Sequence, residues 1–411
     1  MKVLHITQSD GTGGAAIATM RLHRAMLNAG IESRVLVASR MHVLDQSVIP
    51  CYSTKIGFFM CRYIKPYLSA IQYRDYNVAG DYSYFNRGCD LSRNQIVIDS
   101  DIIYIHWINR GYISAEGLER LLQLGKPVVW FMHDMFPITG GCHHSFECYG
   151  FKSGCNKCKY FSLKRKKTAN RQFEAKIKLK AYNNLYWVAP SKWLYDLSKI
   201  SAVVDNKRLF RIPNIVSDTF QPIAKNVCRE LLKLDNSKKY ILFGADNVLK
   251  NPYKGFDHFV KMLSCLYNKA GRDFVEILVY GTYYSKEIDD RIPYRVNFLG
   301  CFSDELSMNI VYNAADVFVT TSVADNFPLT VMESICCKVP VAAFNVGGIP
   351  DMVTMNENGK MANVGDAVSL AENVYELLCS DNSMKKININ ELCGTTKVLS
   401  LHKELIKNLK K

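Results

Sequence analysis

Short apolar runs recur along the chain at residues 2–7 (KVLHIT), 33–38 (SRVLVA), 101–106 (DIIYIH), 128–134 (VVWFMHD), 240–244 (YILFG), 275–281 (VEILVYG) and 296–300 (VNFLG). Runs of this length without strict alternation fit strands covered on both faces, as in parallel sheets. Between them apolar positions return at helical spacing; after the first run an amphipathic helix is predicted through about Ala29. This strand–helix alternation predicts a parallel α/β architecture. The runs at 187–191 (WVAPS) and 211–216 (RIPNIV) read as the last strands of a first domain. Pro222 and a polar run without periodicity place a linker near 217–238. The expected domains are therefore 1–220 and 221–395, with a Lys-rich closing helix within 396–411.

The pattern is densest at residues 315–350, a strand–loop–helix–strand unit. A strand at 317–319 runs into Asp325-Asn326-Phe327-Pro328, a helix opens at about Thr330, and a second strand at 339–344 ends before Gly347-Gly348. Polar residues thus gather at the carboxyl ends of strands, where open parallel sheets bind ligands. A helix start offers unpaired N–H groups and a positive dipole end that suit a phosphate. Glu333 stands eight positions after Asp325. Its carboxylate can accept two hydrogen bonds from a vicinal diol such as a ribose. The plainer alternatives are a capping box at Thr330-x-x-Glu333 and a turn role for Asp325.

Two other strand ends carry candidate chemistry. After the first strand, Gly11-x-Gly13-Gly14-x-Ala16 forms a glycine turn that lets backbone approach a ligand. Gly11-x-Gly13-x-x-Ala16 also fits the dinucleotide fingerprint in its Gly/Ala form. That supports an NAD(P)-dependent oxidoreductase as an alternative, although the second strand ends in Ser39-Arg40 with no acid for a ribose. His106 closes the strand at 101–106, and His133-Asp134 closes the one at 128–134.

Composition narrows the picture only in part. At 411 residues, with 48% apolar and 22% charged residues, the chain can fill two or three cores and is not disordered. No apolar run reaches the length of about 18 residues needed for a membrane span. The chain opens directly on a strand without a leader pattern, so a cytoplasmic location is expected. The formal charge of +14 favours an anionic partner: nucleic acid, an anionic membrane surface or a phosphorylated substrate. Residues 55–74 mix Phe58, Phe59, Tyr63, Tyr67 and Tyr73 with basic side chains, and Pro66 interrupts any single helix. Residues 164–180 carry eight basic residues against Glu174 alone. Both segments read either as solvated faces or as surfaces for anionic lipid.

Cys142, Cys148, Cys155 and Cys158 fall within the loop 140–160. Four thiolates could hold a structural zinc ion, and Cys155-x-x-Cys158 has ligand spacing, whereas the Cys142–Cys148 interval is wider than usual. Reduced thiols or a redox pair are the alternatives. A zinc-stabilised nucleic-acid-binding protein would use this cluster and the charge together, yet no reading module accompanies them.

The stretch DNFPLTVME (325–333) resembles the donor-site signature of the retaining nucleotide-sugar glycosyltransferases of GT-B family 4, glycosyltransferase group 1. Their pattern is an acidic residue, seven others, then Glu; here Asp325 replaces the commoner first Glu. The resemblance extends upstream through FLGCFSDELSMNIVYNAADVFVTTS and downstream through VPVAAFNVGGIPDMV and ENGK. HDMFPITGGC (133–142) is similar to a polysaccharide-biosynthesis subgroup with a Cys-rich insertion. The resemblance implies two Rossmann-like domains facing across a cleft. It implies transfer of a hexosyl group from a nucleotide diphosphate sugar, with retention, to a glycan or lipid-linked oligosaccharide in surface-polysaccharide assembly.

By the same resemblance Asp325 holds sugar hydroxyls and Glu333 the ribose. Lys254 and backbone around Asn326, Phe327, Leu329 and Thr330 hold the diphosphate. Gly13 and Gly14 face the cleft, and His133 touches the sugar, with His106 as second candidate. The family's phosphate-binding Arg is missing, since Ala245 and Asp246 stand there, and Lys250 is the candidate substitute. Without an Asp-x-Asp motif at a strand end, no catalytic metal is expected. The aromatic and basic segment near residues 51–89 is expected beside the acceptor site, at the cytoplasmic face of an anionic membrane, and no nucleic-acid partner is expected.

Overall fold

The structure is a computed structural model. It describes the whole chain except residues 12, 43, 53, 65–66, 69–81, 159–165, 245–247, 381–388 and 410–411. The chain divides into two compact units, Met1–Ile215 with Val398–Lys411, and Val216–Lys397.

The first unit holds a seven-stranded sheet ordered β3-β2-β1-β4-β5-β6-β7. Its strands are β1 (Lys2–Ser9), β2 (Glu32–Ser39), β3 (Val48–Pro50), β4 (Ile102–Ile105), β5 (Val128–Phe131), β6 (Leu185–Ala189) and β7 (Leu209–Arg211). Each neighbouring pair is parallel. Every residue of β4 and β5 is buried, because helices cover both faces, and this is why those strands read as unbroken apolar runs. Trp130, Trp187, Ile103 and Leu118 centre the core. The order turns back between β1 and β4, so the carboxyl ends of these strands flank a switch point.

The second unit repeats the scheme with six strands ordered β10-β9-β8-β11-β12-β13. They are β8 (Tyr240–Gly244), β9 (Glu276–Tyr280), β10 (Val296–Gly300), β11 (Val317–Thr320), β12 (Val341–Phe344) and β13 (Gly359–Ala362). All pairs are parallel, and the switch point lies between β8 and β11. Its core gathers Phe243, Phe259, Val279, Val319 and Phe344.

Several sequence expectations need correcting. The run 211–216 is not a strand; β7 stops at Arg211, two residues before Pro213, which lacks a ladder N–H. The expected linker contains the helix Lys225–Leu231, part of the second unit. The strand expected from 339 begins at Val341, after Pro340. The helix Leu329–Cys336 starts from Pro328 without a side-chain cap, so no Thr330–Glu333 capping box forms. Residues 55–64 form the helix Lys55–Phe59 and a π turn, Met60–Ile64, while Pro66, Tyr73 and Arg74 lie outside the described residues. The basic helix Lys166–Leu179 is not simply a solvated face, because Lys176 is fully buried.

Candidate functional site

In the second unit, three loops at the carboxyl ends of β8, β11 and β12 are knitted together by backbone. After β8, the turn Pro252–Lys254 ends at Gly255, whose φ is +71°. A Cβ on Gly255 would lie 1.9 Å from the Thr321 carbonyl oxygen, so only glycine allows the two loops to touch. Val323 N–H donates to the Tyr253 carbonyl at 2.8 Å, and Thr321 Oγ1 donates to the Gly255 carbonyl at 2.8 Å. After β12, Gly347 stands at φ +58°, and a Cβ there would lie 1.7 Å from the Asp325 carbonyl oxygen. Gly348 N–H donates to that same oxygen at 3.2 Å.

This backbone frame sets the side chains. Lys254 Nζ lies 3.1 Å from Asp325 Oδ2, an ion pair between residues 71 positions apart. Lys250 is exposed in the turn before it, and Ala245 and Asp246 lie outside the described residues. Asn326 and Phe327 are buried, whereas Leu329 and Thr330 are half-buried at the start of the helix Leu329–Cys336. Glu333, just beyond the first helical turn, is 7% exposed. Its Oε2 accepts from Tyr312 Oη at 3.0 Å, and Tyr312 Oη lies 3.3 Å from Tyr280 Oη. Burial, then Tyr280 and Glu333, push the Tyr312 phenol well above its usual range, so it remains a donor.

In the first unit, the candidates lie at the ends of β1, β4 and β5. Gly13, at φ +84°, precedes the helix Gly14–Asn28, and a Cβ on Gly13 or Gly14 would meet nothing within 4 Å. Asp10 turns its carboxylate to the Met41 and His42 N–H groups at 2.7 and 2.8 Å, fixing the loop after β2. His133 follows β5 and meets His106 at 3.0 Å. Asp134 accepts from His143 at 2.8 Å, from Trp107 Nε1 at 3.1 Å and from Phe136 N–H at 2.8 Å. Burial alone would raise the Asp134 carboxyl, but His143 and these donors outweigh it and hold it low. Asp134 therefore latches the start of the Cys-rich loop to the end of β5.

Residues 238–380 match the family model of glycosyl transferases group 1. The putative colanic acid biosynthesis glycosyl transferase WcaC of Escherichia coli is 19% identical over 90% of both chains. The D-inositol 3-phosphate glycosyltransferase of Mycolicibacterium smegmatis is 29% identical over 40% of this chain, which spans only 38% of that relative. Among solved structures, Anabaena Alr3699/HepE in complex with UDP and glucose aligns over 99% of both chains, with TM-score 0.64 and 15% identity. A glycosyltransferase from Rickettsia africae aligns over 100% of this chain and 98% of its own, with TM-score 0.66 and 17% identity. The fold is GT-B, and residues 238–380 of the second unit are similar to glycosyl transferases group 1. These comparisons favour neither the oxidoreductase nor the nucleic-acid reading.

In the second unit, Lys254, Asp325 and Glu333 share one strand-end region, while Gly13, Gly14 and His133 belong to the first unit. Sequence reading missed Tyr312, which sits inside a helix, Glu305–Ala314, where an apolar-looking aromatic gives no hint of a carboxylate partner. It also missed His5, inside β1.

Cys142, Cys148, Cys155 and Cys158 pack into one cluster with Tyr82 and Tyr84. Gly140 N–H donates to the Cys155 sulfur, but burial pushes that thiol up to about 11. Among the described residues, no three His, Cys, Asp or Glu side chains stand ready to hold a metal ion. The fully buried Lys176 bonds the carbonyls of Phe136 and Thr139 next to this loop.

Proposed function

We propose that the chain transfers a hexosyl group from a nucleoside diphosphate sugar to a hydroxyl of a glycan or lipid-linked oligosaccharide. Transfer proceeds with retention, as in family 4, and serves surface-polysaccharide assembly. The observation that carries the reading is the convergence of Lys254, Asp325, Glu333 and the start of the helix Leu329–Cys336 around one strand-end frame. The ammonium and the helix N–H groups would neutralise the departing diphosphate, which is preorganised electrostatic stabilisation. Asp325 would exchange its ion pair for sugar hydroxyls, Glu333 would take the ribose diol, and His133 would contact the sugar. The similarity to WcaC, a putative colanic acid biosynthesis glycosyl transferase, and to Alr3699/HepE, which binds UDP and glucose, supports the donor class and the pathway class.

Thermal stabilisation against UDP-, GDP-, ADP- and CDP-sugars, with NADP and a DNA duplex as controls, tests the proposal. A ligand at a hundred times its dissociation constant adds about 2.7 kcal/mol. A shift with one nucleotide sugar, lost in Glu333→Ala, is expected. Silence there with a shift from NADP or DNA would overturn the reading. The anomeric configuration of the product, read by NMR, tests retention.

We also propose peripheral contact with an anionic membrane at a cytoplasmic face. Ile56, Phe59, Tyr63, Tyr67 and Leu68 are exposed along one short segment of a chain with formal charge +14. Among the described residues, no helix is long and apolar enough to cross a membrane. Co-sedimentation with phosphatidylglycerol vesicles but not phosphatidylcholine vesicles is expected, and equal partition between the two would argue against the contact. For the cysteine cluster we propose a structural zinc ion that closes the four sulfurs on itself when bound.

A further inference from the structure

Three imidazoles of the first unit are hydrogen-bonded in series. His5 lies on β1, His106 follows β4 and His133 follows β5, and these strands are neighbours in the sheet. His5 Nδ1 stands 2.9 Å from His106 Nε2, and His106 Nδ1 stands 3.0 Å from His133 Nε2. A neutral imidazole has one N–H and one lone pair. Both links can therefore form only if all protons point the same way along the row.

Two arrangements satisfy this condition. With the protons on Nε2 throughout, His5 ends the row with an N–H; with the protons on Nδ1, it ends with a bare lone pair. His5 is 0% exposed, and its Nε2 has no hydrogen-bond partner. A buried donor without an acceptor is the rarer and costlier defect. The row therefore runs His5 Nδ1–H to His106 Nε2, and His106 Nδ1–H to His133 Nε2.

The surroundings keep the row uncharged. His23, on the helix Gly14–Asn28, meets His5 edge-on at 6.0 Å. Tyr104 on β4 packs on His5 and His106. His402, on the closing helix Thr395–Leu409, meets Tyr104 at 3.2 Å. Asp134, the carboxylate that acts on His133, is already committed to His143, Trp107 and Phe136. A proton on His5 or His106 would thus be a buried charge among other imidazoles, and one on the half-buried His133 would face His106 at 3.0 Å.

We propose that His106, itself oriented by His5, is a positioning residue that holds His133 as the neutral Nδ1–H tautomer. His133 then acts as a hydrogen-bond donor and has no lone pair with which to serve as a general base. This inference rests on the reading of His133 as a sugar contact, but its first test does not. In protein carrying ¹⁵N-labelled histidine, two-bond proton–nitrogen correlations read the tautomer of each ring. The expected result is His133 with its proton on Nδ1 and no titration between pH 8 and 5.5. A proton on Nε2, or titration in the usual imidazole range, would overturn the proposal.

The second test uses transfer from the donor identified above. His106→Leu removes the link to His133, and His106→Gln can restore a donor to its Nε2. The expected results are a kcat lowered about tenfold in the Leu variant, an unchanged donor KM and partial recovery in the Gln variant. Equal kcat in His106→Leu and the parent chain would overturn the positioning role. If the tautomer is as expected but His133→Ala transfers at the parent rate, the sugar contact fails while the ordered row stands.

Discussion

Glu333 shows how a residue's neighbours, and not its own position in a motif, prepare it for a ligand. At 7% exposure it is nearly sealed from water, and the Tyr312 phenol holds one of its oxygens at 3.0 Å. A carboxylate buried in this way needs such a donor, because leaving it unpaired costs several kcal/mol. Tyr312→Phe removes the hydroxyl and keeps the ring that packs on Phe220 and Phe318. The expected outcome is a stability loss of about 1–2 kcal/mol and a raised donor KM. Urea denaturation and initial-rate kinetics would measure the two. An unchanged KM would mean that the Tyr312 hydroxyl does not position Glu333 for the donor.

At the scale of single elements, the Cys-rich loop is the clearest departure from the regular βαβ alternation. Among its described residues, only a short 3₁₀ turn, Gly150–Lys152, has regular structure. It is tied down from both sides. His143 is bound by Asp134, Ser83 and Asn109 at one end, and the cysteines pack on Tyr82, Tyr84 and Ala169 at the other. With zinc bound, the loop gains a strong cross-link. One zinc per chain by metal analysis is the expected outcome, with Cys155→Ser losing the metal and lowering Tm. Metal-free protein whose Tm is insensitive to a chelator would leave the loop standing on packing alone. The nearby Lys176 was legible only as one more basic residue in a run; its burial came from the packing of its helix against the turn Phe136–Ile138.

At the scale of the whole molecule, the imidazoles make the first unit sensitive to acid. Burial lowers His23 and His133 to about 4 and His402 to about 3, and His5 and His106 are also held well below their ordinary value of 6.5. Because each folded value lies below the unfolded one, the unfolded chain takes up protons first as pH falls. The contribution of these histidines is therefore intact above pH 6.5 and is lost progressively below it. Five protons taken up on unfolding correspond to a slope of up to ~7 kcal/mol per pH unit, against a usual total of about 5–15 kcal/mol. All four tryptophans, Trp107, Trp130, Trp187 and Trp193, lie in the first unit, so their fluorescence reports that unit alone. Urea titrations followed by tryptophan fluorescence should show a midpoint that falls steeply between pH 6.5 and 5. A midpoint constant to pH 5 would mean that the histidines are not buried neutral.

The parallel α/β alternation was legible in the sequence because a strand covered on both faces must be apolar throughout, and a crossover helix must follow it; the GT-B reading came from the resemblance carried by residues 325–333. That periodic signal survives without knowledge of any partner. The unit at 315–350 was legible for a related reason, since strand, loop, helix and strand are contiguous there. Strands as short as β3 and β13 left no readable pattern. What the tertiary structure decided is which distant positions meet. Lys254 finds Asp325, Tyr312 finds Glu333, and His5 finds His106 only because the sheets place strands side by side that are far apart in the chain. Residue order carries no direct record of that register. It follows from packing both faces of each sheet at once, and with it come the tautomers, ion pairs and buried charges on which the proposed chemistry depends.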